Sequence, residues 1–419
     1  MSDAKTADVP AGYGILTDAG IDRLKQRIGI PTKRPNPPHN FVVTWDGTRH
    51  FAYGYGDDNP LWGDENYGKS TRWGGLIGPP NFHYTMGETD GGPTDEQKKL
   101  LKGDPLIGLG SYQAVMEFEW YRPLYEGDRL WVRGGLIGVK VNDNSKFSGR
   151  TVSEVQGYIN RNQKNEITAV RRGTWIRAER HASAAKKKEY ELPKPYTQDQ
   201  LDQIDAAYAA ETIRGSTPLY FEDVHEGDEI PTIVRGPFRT SDLVVWHVGW
   251  GMQLTPPGAF KISYKTRAKV PGMYTRNKLN VPDTVQRLHW EQDWATELGI
   301  PLSYDYGAMR ETFLTNILTN WMGDNAWLWK LSCQHRKFVY TGDTYWMKGR
   351  VVAKKQVEGR NEVHVDVWVE NQWGTVVTPG NAVVLLPSRG GPHVDLPKPD
   401  AEDLDALWAR QVELQAQQA

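Results

Sequence analysis

Cysteine is almost missing from this chain: Cys333 is the single one among 419 residues. That excludes an intrachain disulfide and a cysteine-built metal cluster, and it fits a reducing compartment. A lone cysteine in a strand-like run reads as a small core side chain. Charge of one sign is lacking too, since 50 Lys and Arg face 52 Asp and Glu for a net charge of −2. A whole-surface nucleic-acid binder is thereby excluded, and only local basic patches remain to be considered. No run approaches the roughly 18 apolar residues a membrane helix needs. The opening residues, MSDAKTADVPAGYG, have neither the basic start nor the apolar core of a signal peptide, so a soluble, cytoplasmic protein is expected. Also missing are G-x-x-x-x-G-K-[ST], a G-x-G-x-x-G that opens a helix, and H-E-x-x-H, while the ten histidines have no metal-ligand spacing. No metal and no redox cofactor is expected.

Aromatic side chains are plentiful: 17 Trp and 19 Tyr. They suit either large core residues or an aromatic-lined pocket. A chain of this length exceeds one ordinary core, which predicts two domains or one duplicated half. Residues 1–40 read as a lead-in, with an amphipathic stretch at 17–28 followed by the proline-rich TKRPNPPHN. The first half is expected at 41–182. It begins with a turn signal, Gly56-Asp57-Asp58-Asn59-Pro60, and a short helix from Asp64, limited by Gly74-Gly75 and Pro79-Pro80. From Ser111 the apolar period changes to two, giving strand, turn at Glu126-Gly127-Asp128, and strand, with two more strands at 149–160 and 166–179. A helix-bearing segment followed by antiparallel strands is an α+β layout. A polar, proline-broken linker spans 183–217, and a tail at 391–419 carries an exposed helix, a packing or subunit contact.

The second half, 218–390, repeats the first. Gly54-Tyr55-Gly56 aligns with Gly249-Trp250-Gly251, and Leu61-Trp62-x-Asp64 with Leu288-His289-x-Glu291. The strand pair at Tyr125-x-Gly127-Asp128-x-x-Trp131 aligns with Tyr340-x-Gly342-Asp343-x-x-Trp346. The second copy carries an insertion, 252–287, ahead of its histidine. Two such units imply a pseudo-twofold double domain in which each copy covers the edges of its twin.

The segment GDDNPLWGDENYG, with RPLYEGD in one half and YTGDTYWMKGRV in the other, resembles the MaoC-like family of R-specific enoyl-CoA hydratases and acyl dehydratases, with a FAS1-like dehydratase as the N-terminal half. The likeness covers almost all of 49–180 and 238–387. It implies a double hotdog, two tandem copies of a long helix wrapped by an antiparallel sheet. It also implies reversible addition of water to a trans-2-enoyl thioester by a hydro-lyase. No cofactor is implied beyond coenzyme A as part of the substrate, and neither nucleic acid nor membrane is a partner; a homo-oligomer is expected. A bulky or aromatic acyl group would suit the aromatic content.

In the family, an Asp and a His of one G-D-x-N-P-x-H segment hold the water. Here the first half keeps Asp57, Asn59 and Pro60 but has Trp62 at the histidine position, while the second keeps His289 but aligns Met252 with the aspartate. Three readings stay open. His289 works with a carboxylate from elsewhere, Asp283, Glu291 or Asp305; His is the natural proton carrier at neutral pH. Alternatively, Asp57 works with Asn59 and a histidine such as His50 or His83. In the third reading both sites have lost the chemistry, and the chain is a noncatalytic acyl-thioester-binding or partner subunit. Asp57 and Asn59 also suit an ordinary side-chain-bonded turn. Tyr304-Asp305-Tyr306-Gly307-Ala308-Met309-Arg310 falls where the family enters its central helix, so Asp305, Tyr306, Gly307 and Arg310 are candidates to meet the substrate, with Trp62 beside them. The insertion is basic, and its Lys265 and Arg267 are candidates to clamp coenzyme A phosphates.

Overall fold

A computed structural model of the chain describes residues 14–34, 37–145, 148–179, 190–251, 258–391 and 393–418. The period-two stretches of the first half form β1 (Glu88–Thr89), β2 (Gly110–Trp120), β3 (Leu130–Ser145), β4 (Gly149–Asn162) and β5 (Ile167–Ala178). Those of the second half form β6 (Glu229–Arg235), β7 (Tyr274–Arg276), β8 (Pro282–Thr284), β9 (Trp327–Gln334), β10 (Tyr345–Val357), β11 (Arg360–Glu370) and β12 (Val376–Leu385). Apart from the β7–β8 pair, these strands build one sheet in the order β1-β3-β4-β5-β2-β9-β12-β11-β10-β6. The halves meet at β2 and β9, which pair antiparallel from Val115 opposite Gln334 to Glu119 opposite Lys330. The sequence β3-β4-β5-β2 on one side is answered by β10-β11-β12-β9 on the other, so a pseudo-twofold axis runs through this seam. Joining there removes one open edge from each half-sheet.

Helix Gly307–Met322 lies wrapped by the second half-sheet, and every residue after Gly307 is buried. A helix buried all round must satisfy its polar side chains internally. Thr312, Thr315 and Thr319 do so by donating to the carbonyls of Ala308, Thr312 and Asn316 at 2.8, 2.8 and 3.0 Å. Among the described residues the first half has no such helix. Gly78-Pro79-Pro80 leads instead into a six-residue 3-10 segment, Pro80–Thr85, because two adjacent prolines remove N–H donors and crowd the turn before them.

The duplication read in the sequence meets itself in space. Helices Trp45–Gly54 and Thr240–Trp250 cross beside the axis. The aligned glycines Gly54 and Gly249 form the crossing, where a Cβ on Gly249 would stand 2.2 Å from the His50 carbonyl oxygen. Both expected end segments dress the first half. Helix Asp18–Lys25, capped by Thr17, sets Ile21 and Leu24 against Leu106 and Val152. Helix Leu404–Gln418 lays Leu407 and Trp408 over Ile137 and Ile159. The expected linker differs from its reading. Of 183–217 the described part contains a 13-residue helix, Gln198–Ala210, opened by a capping box between Thr197 and Gln200. The insertion, described from 258 onward, holds helix Lys261–Lys269 and the β7–β8 hairpin; Met252 lies outside the described residues. Among the described residues no helix is long and apolar enough to cross a membrane.

Candidate active site

A cavity of about 810 Å3 opens where the seam meets the start of the helix Gly307–Met322. Its walls come from both halves: Gln113 and Trp175 from the first, and His289, Asp305, Gly307 and His335 from the second. Tyr112, Tyr190, Tyr304, Tyr306, Phe338 and Tyr340 also face it, giving an aromatic wall that also carries polar and charged side chains such as Glu191, Arg310 and Lys337.

His289 ends the short 3-10 turn Val285–His289. Its Nδ1 lies 2.8 Å from the Tyr304 carbonyl oxygen. A carbonyl only accepts, so Nδ1 carries the proton and Nε2 the lone pair. The ring packs against Tyr306, tilted by 34° with 3.8 Å between centroids. Burial, with no carboxylate to offset it, pushes the imidazole down to about 4. At neutral pH it is therefore an uncharged base of fixed tautomer.

Asp305 lines the same cavity. Its Oδ2 is 2.9 Å from Arg310 Nε and accepts from the Tyr345 hydroxyl at 3.3 Å. Oδ1 is buried without a hydrogen-bond partner among the described residues. Burial lifts this carboxyl to about 7 in spite of the guanidinium. Arg310 is spent on the fold: it also donates to the Lys337 carbonyl at 3.0 Å and to Thr378 Oγ1 at 2.8 Å. The helix start has no side-chain cap. The Met309 N–H turns back to the Tyr306 carbonyl at 3.0 Å, so the N–H groups of Gly307 and Ala308 and the positive end of the helix dipole are left for an acceptor in the cavity. Gly307 allows a close approach there, because a Cβ would lie 2.6 Å from Gln113 Oε1 and 2.9 Å from His335 Nε2.

Of the residues singled out in the sequence, the cavity gathers His289, Asp305, Tyr306, Gly307 and Arg310. It does not gather the others. Glu291 is not free to serve His289, since its Oε2 is 3.0 Å from the buried Arg287 Nε. Asp283 sits in the β7–β8 hairpin, where its Oδ1 accepts from the Thr284 N–H. Lys265 and Arg267 lie on the insertion helix, away from the cavity wall; Arg267 packs over the Tyr264 ring instead. Besides Arg310, the cations that reach the wall are Arg336 and Lys337.

Asp57, Asn59 and Trp62 stand on the far side of the seam and form a closed knot. The Asp57 carboxylate accepts from the Tyr55 hydroxyl at 2.9 Å, the Asn59 N–H at 2.9 Å and Trp62 Nε1 at 2.8 Å. Asn59 Oδ1 caps Leu61. Tryptophan thus donates from the position where the family has its histidine, and Trp62 serves that knot rather than the large cavity. Neither proposed partner is available to Asp57. His83 is engaged through both nitrogens, with the Pro80 carbonyl at 3.0 Å and Thr168 Oγ1 at 3.2 Å. His50 touches Arg49 on the surface at 3.0 Å.

Sequence reasoning passed over Gln113, Glu311 and His335. They come from three separate elements, and no local spacing links them.

Residues 32–165 match the model of the FAS1-like dehydratase domain region. A UPF0336 protein of Streptomyces avermitilis is 28% identical over 130 residues, spanning 30% of this chain and 79% of that protein. One from Parafrankia sp. (strain EAN1pec) is 34% identical over 104 residues, 24% of this chain and 64% of its own length. Among solved structures, a MaoC-like dehydratase superposes with a TM-score of 0.58 at 16% identity, covering 87% of this chain and all of its own. A MaoC domain protein dehydratase from Chloroflexus aurantiacus J-10-fl gives 0.52 at 15% identity, covering 87% and 96%. Residues 32–165 are thus similar to the FAS1-like dehydratase domain region, and the chain as a whole is a double hotdog, the fold it shares with MaoC-like dehydratases.

Proposed function

We propose that the chain is an acyl-CoA hydratase/dehydratase that adds water reversibly to a trans-2-enoyl thioester with a bulky or aromatic acyl group. The observation that carries this reading is the neutral, tautomer-fixed His289 in a cavity of about 810 Å3 at an uncapped helix start. The thioester oxygen, which gains negative charge as water adds to Cβ, is received by the first-turn N–H groups of Gly307 and Ala308. His289 Nε2 takes a proton from the water. Asp305, of the three carboxylates considered, shares the cavity and helps hold that water. The aromatic wall accommodates a ring or branched acyl chain, and Arg336 and Lys337 are the nearest cations for coenzyme A phosphates. No further cofactor takes part, and the assembly is a homo-oligomer in a cytoplasmic setting.

The test is loss of the enoyl-thioester absorbance with crotonyl-CoA and cinnamoyl-CoA, using wild type and His289→Ala. Hydration of cinnamoyl-CoA by wild type alone supports the reading. If wild type binds both thioesters and hydrates neither, the noncatalytic binding subunit replaces it; the closed Asp57 knot is the observation that favours that second reading.

A further inference from the structure

Hydration moves two protons, and the residues assigned so far act on the water oxygen. A second imidazole lines the same cavity. His335 follows directly on β9, and its Nε2 lies 3.1 Å from Oε1 of Glu311, a carboxylate wholly buried on the second turn of the central helix. Glu311 also accepts from Gln113 Nε2 at 2.7 Å and from the Tyr84 hydroxyl. A carboxylate only accepts, so the neutral ring keeps its proton on Nε2 and the lone pair on Nδ1. The His335 side chain is 4% exposed, and its Nδ1 is buried with no hydrogen-bond partner among the described residues. A buried polar atom left unpaired is costly to keep. Four residues held together from β2, the 3-10 segment, the central helix and the end of β9 make a built site, in which a carboxylate orients an imidazole, as acid–base enzymes do. The site also abuts Gly307, whose missing Cβ leaves room for Gln113 and His335.

We propose that Glu311 and His335 form a second proton carrier, with His335 the catalytic residue that serves Cα of the acyl thioester and Glu311 and Gln113 its positioning residues. The assignment rests on the hydratase reading above. In hydration, His289 Nε2 removes a proton from water as the water oxygen bonds to Cβ. The π electrons of the Cα=Cβ bond move onto the thioester, giving an enolate at the helix start. The carbonyl re-forms as Cα takes the proton from Nδ1 of the His335 imidazolium. His289 then releases its proton to solvent and His335 takes one back, so one water is consumed and no oxidant or reductant is needed. Of the two rings, only His335 has a carboxylate beside it, and that carboxylate works against burial and the Arg310 guanidinium, which hold the ring below the usual histidine value.

The experiment follows deuterium entering Cα of 3-phenylpropanoyl-CoA in deuterium oxide by proton NMR; this saturated probe has no water to lose. Wild type is expected to exchange. His335→Gln and Glu311→Gln should slow exchange about 100-fold or more, in the range of a lost general acid–base group, with the affinity for the probe retained. His289→Gln should exchange almost as wild type does while failing to hydrate cinnamoyl-CoA. Circular dichroism melting checks each fold, and Gln113→Leu, a milder change at the first-half wall, reports on the positioning if Glu311→Gln does not fold. If His335→Gln exchanges and hydrates like wild type, or if its rate falls only in step with its affinity, the assignment to His335 is overturned while the hydratase reading stands. Hydration by wild type without any exchange overturns it as well. Wild type that neither exchanges nor hydrates overturns both.

Discussion

Two places are related by the pseudo-twofold axis at the β2–β9 seam, and one is open while the other is filled. The open one lies between the start of β2, the end of β9 and the start of the central helix. Its twin lies between the end of β2, the start of β9 and the Gly78-Pro79-Pro80 break, where only about 40 Å3 remains among Trp62, Trp73, Trp120 and Trp327. At the open place a histidine lines a cavity and keeps a lone pair on Nε2. At the closed place a tryptophan donates its only hydrogen to a carboxylate that already has two other donors. Indole nitrogen donates and never accepts, so exchanging histidine for tryptophan turns a proton carrier into a structural strut. The prolines that shorten the first-half helix remove the other requirement, an uncapped helix start with N–H groups to offer. On the proposed hydratase reading, duplication leaves one half to hold the fold while the other presents the chemistry.

The strongest way to break this comparison is to remove the polar groups on each side in turn. His289→Ala is expected to lower kcat for cinnamoyl-CoA hydration by about 10²- to 10⁴-fold, the usual worth of a positioned acid–base group. Asp57→Asn should leave kcat per folded molecule unchanged and lower the melting temperature. Steady-state rates alongside thermal melts decide this: a rate loss with Asp57→Asn of the same order as with His289→Ala would mean that the first half still carries chemistry.

The residues that made this contrast legible were the paired ones. Gly54 and Gly249 align in sequence and touch in space, because a duplicated close approach needs a glycine in both copies. The stretch from Tyr304 to Arg310 was readable as a helix entry, and its neighbours in the cavity are close in sequence. Glu311, His335 and Gln113 were not readable, since strand pairing alone brings residues separated by 198 and 24 positions onto one carboxylate. The basic insertion misled for the opposite reason: its charge is local, but its helix folds away from the cavity, so Lys265 and Arg267 reach solvent and an aromatic ring instead. The helix Gln198–Ala210 was hidden by the prolines before it, although Thr197 and Gln200 spell its capping box.

The filled site should answer in stability. Trp62→Ala removes a buried indole and one of the three donors to Asp57, an expected loss of about 3–5 kcal/mol for a large-to-small core change. Urea unfolding measures it. Activity per folded molecule should hold, and enlarging the small space should not create a hydrating site, because Asp57 would still have no base beside it. A Trp62→Ala protein as stable as wild type would show the indole to be dispensable packing.

The smallest effect comes from two histidines placed on opposite sides of the comparison. His83 beside the filled site and His289 in the open one are both pushed down to about 4 by burial. Their unfolded value is near 6.5. As pH falls through that value, the unfolded chain takes up a proton that the folded chain refuses, so stability is full above about 6.5, declines to about 4 and is level below. The linkage relation gives about 2 kcal/mol per histidine at pH 5. His83→Gln and His289→Gln should therefore each flatten the loss of urea stability between pH 7 and pH 5 by a similar amount. Their effects on hydration should diverge, because His83 spends both nitrogens on the protein. Equal flattening with unequal rates separates a histidine kept neutral for packing from one kept neutral for use. A slope left unchanged by His289→Gln would mean that its ring takes up a proton as readily in the folded state as in the unfolded one, and burial would not be what keeps that base neutral.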